Sequence, residues 1–208
     1  MSIDRRLMRG LQKGGVADAA QIIDWTGETR GLAALGNVAR NRAQADALAR
    51  RLTELYRVDP RIRIILTSHS GGTGIAVWAL EQLPADVKVD RLLLLASALS
   101  PTYDLSRALA HVRVGAYAFY SEYDTVVLRY GTLAFGTIDR QQVPAAGYAG
   151  FAVPQSADPV QYAKFHQYPY DRSWMRLGNT GDHIGTLEPA FAEAVLAPLL
   201  TPDPAETK

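Results

Sequence analysis

Apolar residues recur along the chain with two periods, and the period changes segment by segment. Ile3, Leu7, Met8 and Leu11 fall at helical spacing, and Gly14 and Gly15 end that helix. Ile22 and Ile23 predict a short strand over residues 20–25, followed by a loop rich in glycine and small residues over 26–41. From 43 to 56 the positions Ala45, Leu48, Ala49, Leu52, Leu55 and Tyr56 share one helix face, opposite Arg50, Arg51, Glu54 and Arg57. Pro60 closes that helix. Residues 62–67 then form a β-branched run of strand length, and 74–83 are apolar nearly all round, as in a helix buried on more than one side. Residues 87–98, centred on Leu92, Leu93, Leu94 and Leu95, read as a second buried strand, 112–120 as a third and 173–177 as a fourth. A closing helix over 189–200 carries proline in its first turn. Alternating helices and hydrophobic strands predict an α/β fold, a mostly parallel sheet covered by helices on both faces, with ligands at the carboxyl ends of the strands.

Composition narrows the function classes. The chain has 208 residues, 48% of them hydrophobic, which suits one compact domain over 1–200 with a disordered tail over 201–208. With 22 basic against 21 acidic side chains, the formal charge of +1 gives no reason to expect nucleic acid as the partner. The basic stretch Arg40, Arg42, Arg50 and Arg51 alternates with apolar residues, as on a solvated helix face. No cysteine is present, so thiol catalysis, thiolate metal sites and disulfides are excluded. No apolar run reaches the roughly 20 residues of a membrane span, and residues 1–15 do not read as a signal peptide, so a cytoplasmic location is expected. No cofactor or metal is expected.

The candidate chemistry lies after the strand at 62–67. Ser68-His69-Ser70-Gly71-Gly72 leads directly into a helix, the strand, tight turn and helix order of a nucleophile elbow. A serine that attacks a carbonyl must project from a strained turn, and the residues two before and two after it must be small. Gly72 meets one requirement; Ser68 stands where glycine is usual. The amino end of the following helix offers unpaired N–H groups to a developing oxyanion, with Gly71 N–H as the natural first donor. An anion cradle at the same turn is the rival reading. The dinucleotide pattern fails at Val77, and no lysine supplies a Walker loop.

A serine hydroxyl needs a histidine to take its proton and a carboxylate to orient that histidine. Of the four histidines, His69 adjoins Ser70 and should point away from it, His111 precedes the third strand at the wrong end of the sheet, and His166 lies among aromatics. His183, in a glycine-rich loop before the last helix, is the expected base. Asp124, after the third strand, is the expected acid, with Asp104 as its main rival; Asp182 is too close to His183 to bond its ring. The order Ser70, Asp124, His183 is that of α/β-hydrolases.

On these residues the chain resembles the α/β-hydrolase superfamily, in particular bacterial lipase- and esterase-like members of unassigned specificity. The resemblance runs over nearly the whole chain. Its other carriers are Ile23-Asp24-Trp25-Thr26-Gly27, Asn41-Arg42-Ala43-Gln44-Ala45, Ala98-Leu99-Ser100-Pro101 with Tyr103-Asp104-Leu105-Ser106, Phe119-Tyr120-Ser121 with Asp124, Gly131-Thr132-Leu133 with Gly136-Thr137-Ile138-Asp139, and Gly181-Asp182-His183. It implies Ser70 as nucleophile, Asp124 as acid and His183 as base, acting on a small-molecule ester or acyl substrate. Family members begin with strands leading into a glycine-containing loop that supplies the second oxyanion N–H. Here Met1 already stands at the first helix, so those strands are expected to be missing. A start called too late, a donor from another loop, or a hydrolase fold kept as a catalytically silent binding module would each account for that. The rings between 123 and 170 either roof an acyl pocket or belong to the core.

Overall fold

The computed structural model describes residues 3–16, 19–27 and 31–201. In chain order the elements are helix α1 (Ile3–Lys13), a 3-10 turn (Gly31–Gly36), helix α2 (Val38–Val58), strand β1 (Ile65–His69), helix α3 (Gly72–Leu80), strand β2 (Val89–Leu95), helix α4 (Ser106–Leu109) and strand β3 (Val112–Tyr120). A π-helical segment (Thr125–Gly131) runs into α5 (Thr132–Phe135), followed by α6 (Ala146–Ala149), α7 (Pro159–Tyr162) and strand β4 (Phe165–Pro169). Two 3-10 turns (Arg172–Leu177 and Gly185–Leu187) lead to a closing helix, α8 (Pro189–Phe191), a π-helical turn (Ala192–Leu196) and α9 (Ala197–Leu200). The fold is α/β: four strands, all parallel, stand in the order β1-β2-β3-β4.

The chain divides into two compact units, one made of residues 24–169 and one of 1–23 with 170–208. In the larger, the strand residues alternate between two faces as the pleat requires. Leu66, Leu92, Leu94, Ala116 and Ala118 share the face packed with Ile75, Val77 and Trp78 of α3, Leu105 and Leu109 by α4, and Ala45, Leu48 and Leu52 of α2. The opposite face carries Leu93, Leu95 and Phe119, also fully buried, and an aromatic ladder in which Phe119 stacks on Tyr168 at 4.8 Å and Tyr117 on His166 at 5.6 Å. In the smaller unit α1 packs on the closing helix through two glycine notches. A Cβ on Gly10 would stand 2.3 Å from the Pro189 carbonyl oxygen, and one on Gly14 2.3 Å from Ala197 Cβ. Arg6 pairs with Glu188 at 2.5 Å beside this contact.

Two expected strands are corrected. Residues 20–25 pair with no strand among the described residues, and Ile22 and Ile23 stand 47% and 46% exposed. Two adjacent β-branched residues favour extension, but without a ladder partner they make no strand. Residues 173–177 lie in a 3-10 turn instead: the Asp171 carboxylate accepts from Ser173 N at 2.7 Å and Gly178 ends the turn at φ 82°. The three-residue spacing of Trp174 and Leu177 fits that turn. The fourth strand is β4, paired with β3 from Ala116–Phe165 to Tyr120–Pro169. Within 26–41, expected as loop, lie the 3-10 turn and the start of α2, capped by Asn37 Oδ1 accepting from Arg40 N at 3.1 Å. The expected tail lies outside the described residues but for Thr201.

Candidate active site

Ser70 follows β1, and its N–H continues the ladder to Leu95 O at 2.9 Å. Its backbone then turns into the left-handed region at φ 52°, which costs a residue with a Cβ on the order of 1–2 kcal/mol. Three donors hold it there. Ser70 O accepts from Thr73 N at 3.1 Å, Thr73 Oγ1 at 2.6 Å and Ala98 N at 3.3 Å. Thr73, fully buried, also shares a hydrogen bond with Ser97 Oγ at 2.9 Å, which ties the turn to the end of β2. That end is itself left-handed, at Ala96 with φ 47°. Strain of this kind persists where surrounding contacts over-determine the backbone.

The neighbours of Ser70 fit the close approach of strand and helix. Ser68, where glycine was the expected residue, disposes of its hydroxyl by donating to Leu93 O at 3.0 Å. A Cβ on Gly71 would stand 2.7 Å from Leu35 Cδ2 and from Trp25 Cζ2 and Cη2. The backbone N–H groups of Gly71 and Gly72 donate to no acceptor among the described residues, and α3 has no side-chain cap, so its amino end is open to an anionic atom.

Asp124 lies beyond β3 in the same unit, 3% exposed. Its N–H bonds Ser121 O at 3.1 Å, and its Oδ1 accepts from Leu128 N at 3.3 Å, capping the π-helical segment. Ser121 N is held in turn by Gly147 O at 2.9 Å. The rival Asp104 is committed locally. Its Oδ1 accepts from Ser106 Oγ at 2.6 Å and Ser106 N at 2.8 Å, and Tyr162 OH stands at 3.4 Å. The Ser106 hydroxyl above all holds this carboxyl below the usual range, while burial pushes the Tyr162 phenol up to about 12.

His183 belongs to the smaller unit. Its loop is built around Asn179, 1% exposed, whose Oδ1 accepts from Gly181 N at 2.9 Å, with Gly181 at φ 82°. A Cβ on Gly185 would meet that same oxygen at 2.3 Å. Asp182 spends a carboxylate oxygen on Ile184 N at 3.1 Å, a turn-forming role. The half-buried His183 thus sits on a loop fixed from both sides. His111 lies at the start of β3 with Nδ1 2.9 Å from Val87 O, and His166 is exposed on β4. His69 ends β1, one residue before the turn.

Reading the sequence missed three features here: the Thr73–Ser97 tie, the placing of Trp25 against Gly71, and a cavity of about 550 Å³ between α2, α3 and the loops after β2 and α5. Arg42, Trp78, Tyr103, Asp139 and Arg140 line that cavity, with the Arg42 guanidinium 3.8 Å from the Trp78 ring centre. Asp139 is fixed there by Ser100 N at 2.8 Å and Ser100 Oγ at 2.6 Å. Ser100 and Asp139 belong to stretches that carry the family resemblance, yet nothing in their spacing revealed the pairing.

Among the described residues no group of three or more His, Asp or Glu stands close enough together to hold a metal ion, and no helix is long and apolar enough to cross a membrane. No protein-family model matches the chain, and no curated protein or solved structure matches it.

Proposed function

We propose that the protein is a serine hydrolase that cleaves a carboxylic ester or thioester through an acyl-enzyme on Ser70. The observation that carries this reading is the strained Ser70 backbone, φ 52°, fixed by three hydrogen bonds to its carbonyl between a parallel strand and an open helix amino end. A structural serine has no need of that conformation, for glycine or asparagine would adopt it at lower cost. A nucleophile does, because the turn thrusts its Oγ clear of both strand and helix.

In the proposed reaction His183 takes the Ser70 proton as Oγ bonds to the substrate carbonyl carbon, and the carbonyl electron pair moves onto oxygen. Gly71 N–H donates to that oxyanion. Collapse expels the alkoxide or thiolate, which leaves with the proton from His183, and water then releases the acid by the same steps in reverse roles. Asp124 orients His183. Burial of the Asp124 carboxylate and the local commitment of Asp104 favour Asp124 for this task.

A fluorophosphonate probe tests the reading. Wild type should be labelled and Ser70→Ala should not, and His183→Ala should be labelled far more slowly. A folded wild-type chain that takes no label refutes the hydrolase and leaves a catalytically silent binding module in its place.

A further inference from the structure

We propose that Trp25 supplies the second hydrogen bond to the oxyanion through its indole N–H, an inference that rests on the hydrolase reading of Ser70. The indole edge that carries the nitrogen lies against the first turn of α3. A Cβ on Gly72 would stand 3.2 Å from Trp25 Nε1 and 3.6 Å from its Cδ1, and one on Gly71 2.7 Å from Cζ2 and Cη2. Two consecutive residues without side chains therefore give the ring its seat, next to the backbone N–H that follows the nucleophile. An indole N–H is a donor only, so its one polar capacity matches what an oxyanion requires. No residue among those described accepts a hydrogen bond from it.

The ring is held from behind. Asp24 Oδ1 accepts from Thr26 N at 2.9 Å and Thr26 Oγ1 at 2.6 Å, closing a turn around Trp25. Arg40 donates from Nη1 to Thr26 O at 2.9 Å, and its guanidinium lies 5.6 Å from the indole centre. Arg40 is fixed by Ala34 O at 2.5 Å and Asn41 Oδ1 at 2.9 Å. The fully buried Asn41 donates to Ala34 O at 3.0 Å and Leu35 O at 3.2 Å, which seats Leu35 beside Gly71. Catalytic donors must be pre-organised in this way if they are to stabilise charge without reorganising at the moment of reaction. When Ser70 Oγ adds to the carbonyl carbon, the displaced π pair becomes the oxyanion; Gly71 N–H and Trp25 Nε1–H both donate to it. No proton leaves the indole, and both bonds weaken as the carbonyl re-forms.

The test compares wild type with Trp25→Phe, which keeps a ring on the glycine seat and removes the donor. Hydrolysis of p-nitrophenyl acetate should show kcat about 10²-fold lower in the variant, with KM within twofold and the thermal midpoint close to that of wild type. Equal kcat overturns the role of Trp25 and leaves Ser70 standing, whereas a wild type that no fluorophosphonate labels at Ser70 overturns both. A second measurement needs no variant. In ¹⁵N-labelled wild type, phosphonylation of Ser70 places a P=O oxygen at the oxyanion position and should move one of the indole N–H signals downfield; no movement of any indole signal overturns the proposal.

Discussion

At the scale of single residues, backbone strain is what supports the proposed role of Ser70. Among the described residues only Ser70, Ala96 and Arg140 combine a side chain with positive φ, and the carbonyl of the first is the one held by three donors. Relieving the strain should therefore favour the fold while removing the proposed nucleophile. Ser70→Gly and Ser70→Ala both lack the hydroxyl, so their difference reports the Cβ and the backbone conformation it opposes. Glycine is relieved of the left-handed strain, an advantage partly offset by the greater freedom of the unfolded chain, which leaves Ser70→Gly more stable than Ser70→Ala by roughly 0.5–1 kcal/mol in urea denaturation. Equal stabilities would mean the turn is unstrained. The two carboxylates separate in the same manner. Asp124→Asn should lower turnover by up to about 10⁴, as in serine proteases. Asp104→Ala should cost about 1 kcal/mol of stability through its lost turn contacts and leave turnover within a few-fold. The reverse pattern would make Asp104 the acid. The tight turn at Ser70 was legible in the sequence because its signal is local: a buried strand, small neighbours and a helix within a dozen residues. The placing of Trp25 was not, for it rests on Gly71 and Gly72, which the ring meets only in three dimensions.

At the scale of elements, periodicity was reliable where a segment packs along its own length and misleading where a turn decides. The long amphipathic α2 and strand β3 lie where apolar spacing puts them, β3 with the same limits. The fourth strand was misplaced because Phe165-His166-Gln167-Tyr168 buries neither face fully and so has no run of apolar residues, while the Trp174 region carries the stronger hydrophobic signal but is turned by Asp171. Short elements around the site are fixed by backbone contact, which composition does not record. The clearest case is α6, where a Cβ on Gly147 would stand 2.4 Å from Ala96 C and Ser97 N, backbone atoms that cannot rotate away. Gly147 N also donates to Ser97 O at 2.8 Å, and its carbonyl holds the Ser121 N–H in the loop that leads to Asp124. Gly147→Ala should thus destabilise by about 1–3 kcal/mol, the usual cost of overpacking, and lower esterase activity in the folded fraction. Gly27→Ala, with open space at its Cβ position, is the contrast, since only its φ of 60° opposes the change. If Gly147→Ala melts with wild type, the close approach of α6 to β2 is not tight.

At the scale of the whole molecule, the alternation of strands and helices made the α/β class readable, but the partition into two units was not. The smaller unit joins the first 23 residues to the last 39, and no change of composition marks its borders, because what defines it is the glycine-notched contact of α1 with the closing helix. Charge, nearly balanced overall, is distributed in a way that makes stability depend on pH. His111 is 9% exposed at the start of β3, with Lys88 and Lys164 donating to Ala110 O and Val112 O on either side of it, each at 2.6 Å. Burial, foremost, lowers the imidazole pKa below 6.5; Lys88, Arg107 and Lys164 act in the same direction, and the bond to Val87 O opposes them. A group whose pKa falls on folding binds fewer protons in the native state, so its contribution to stability is complete above 6.5 and is lost as pH falls through the lower native value. Glu81, raised by burial, works in the opposite sense but in a lower window, near and above 4.5. The thermal midpoint should therefore drop between pH 7.5 and 5.5 in wild type. His111→Asn, whose amide can still donate to Val87 O but does not titrate, should show a shallower drop over the same interval. Parallel curves for the two proteins would mean that His111 protonates as easily in the fold as in the unfolded chain, and that the acid sensitivity has another source.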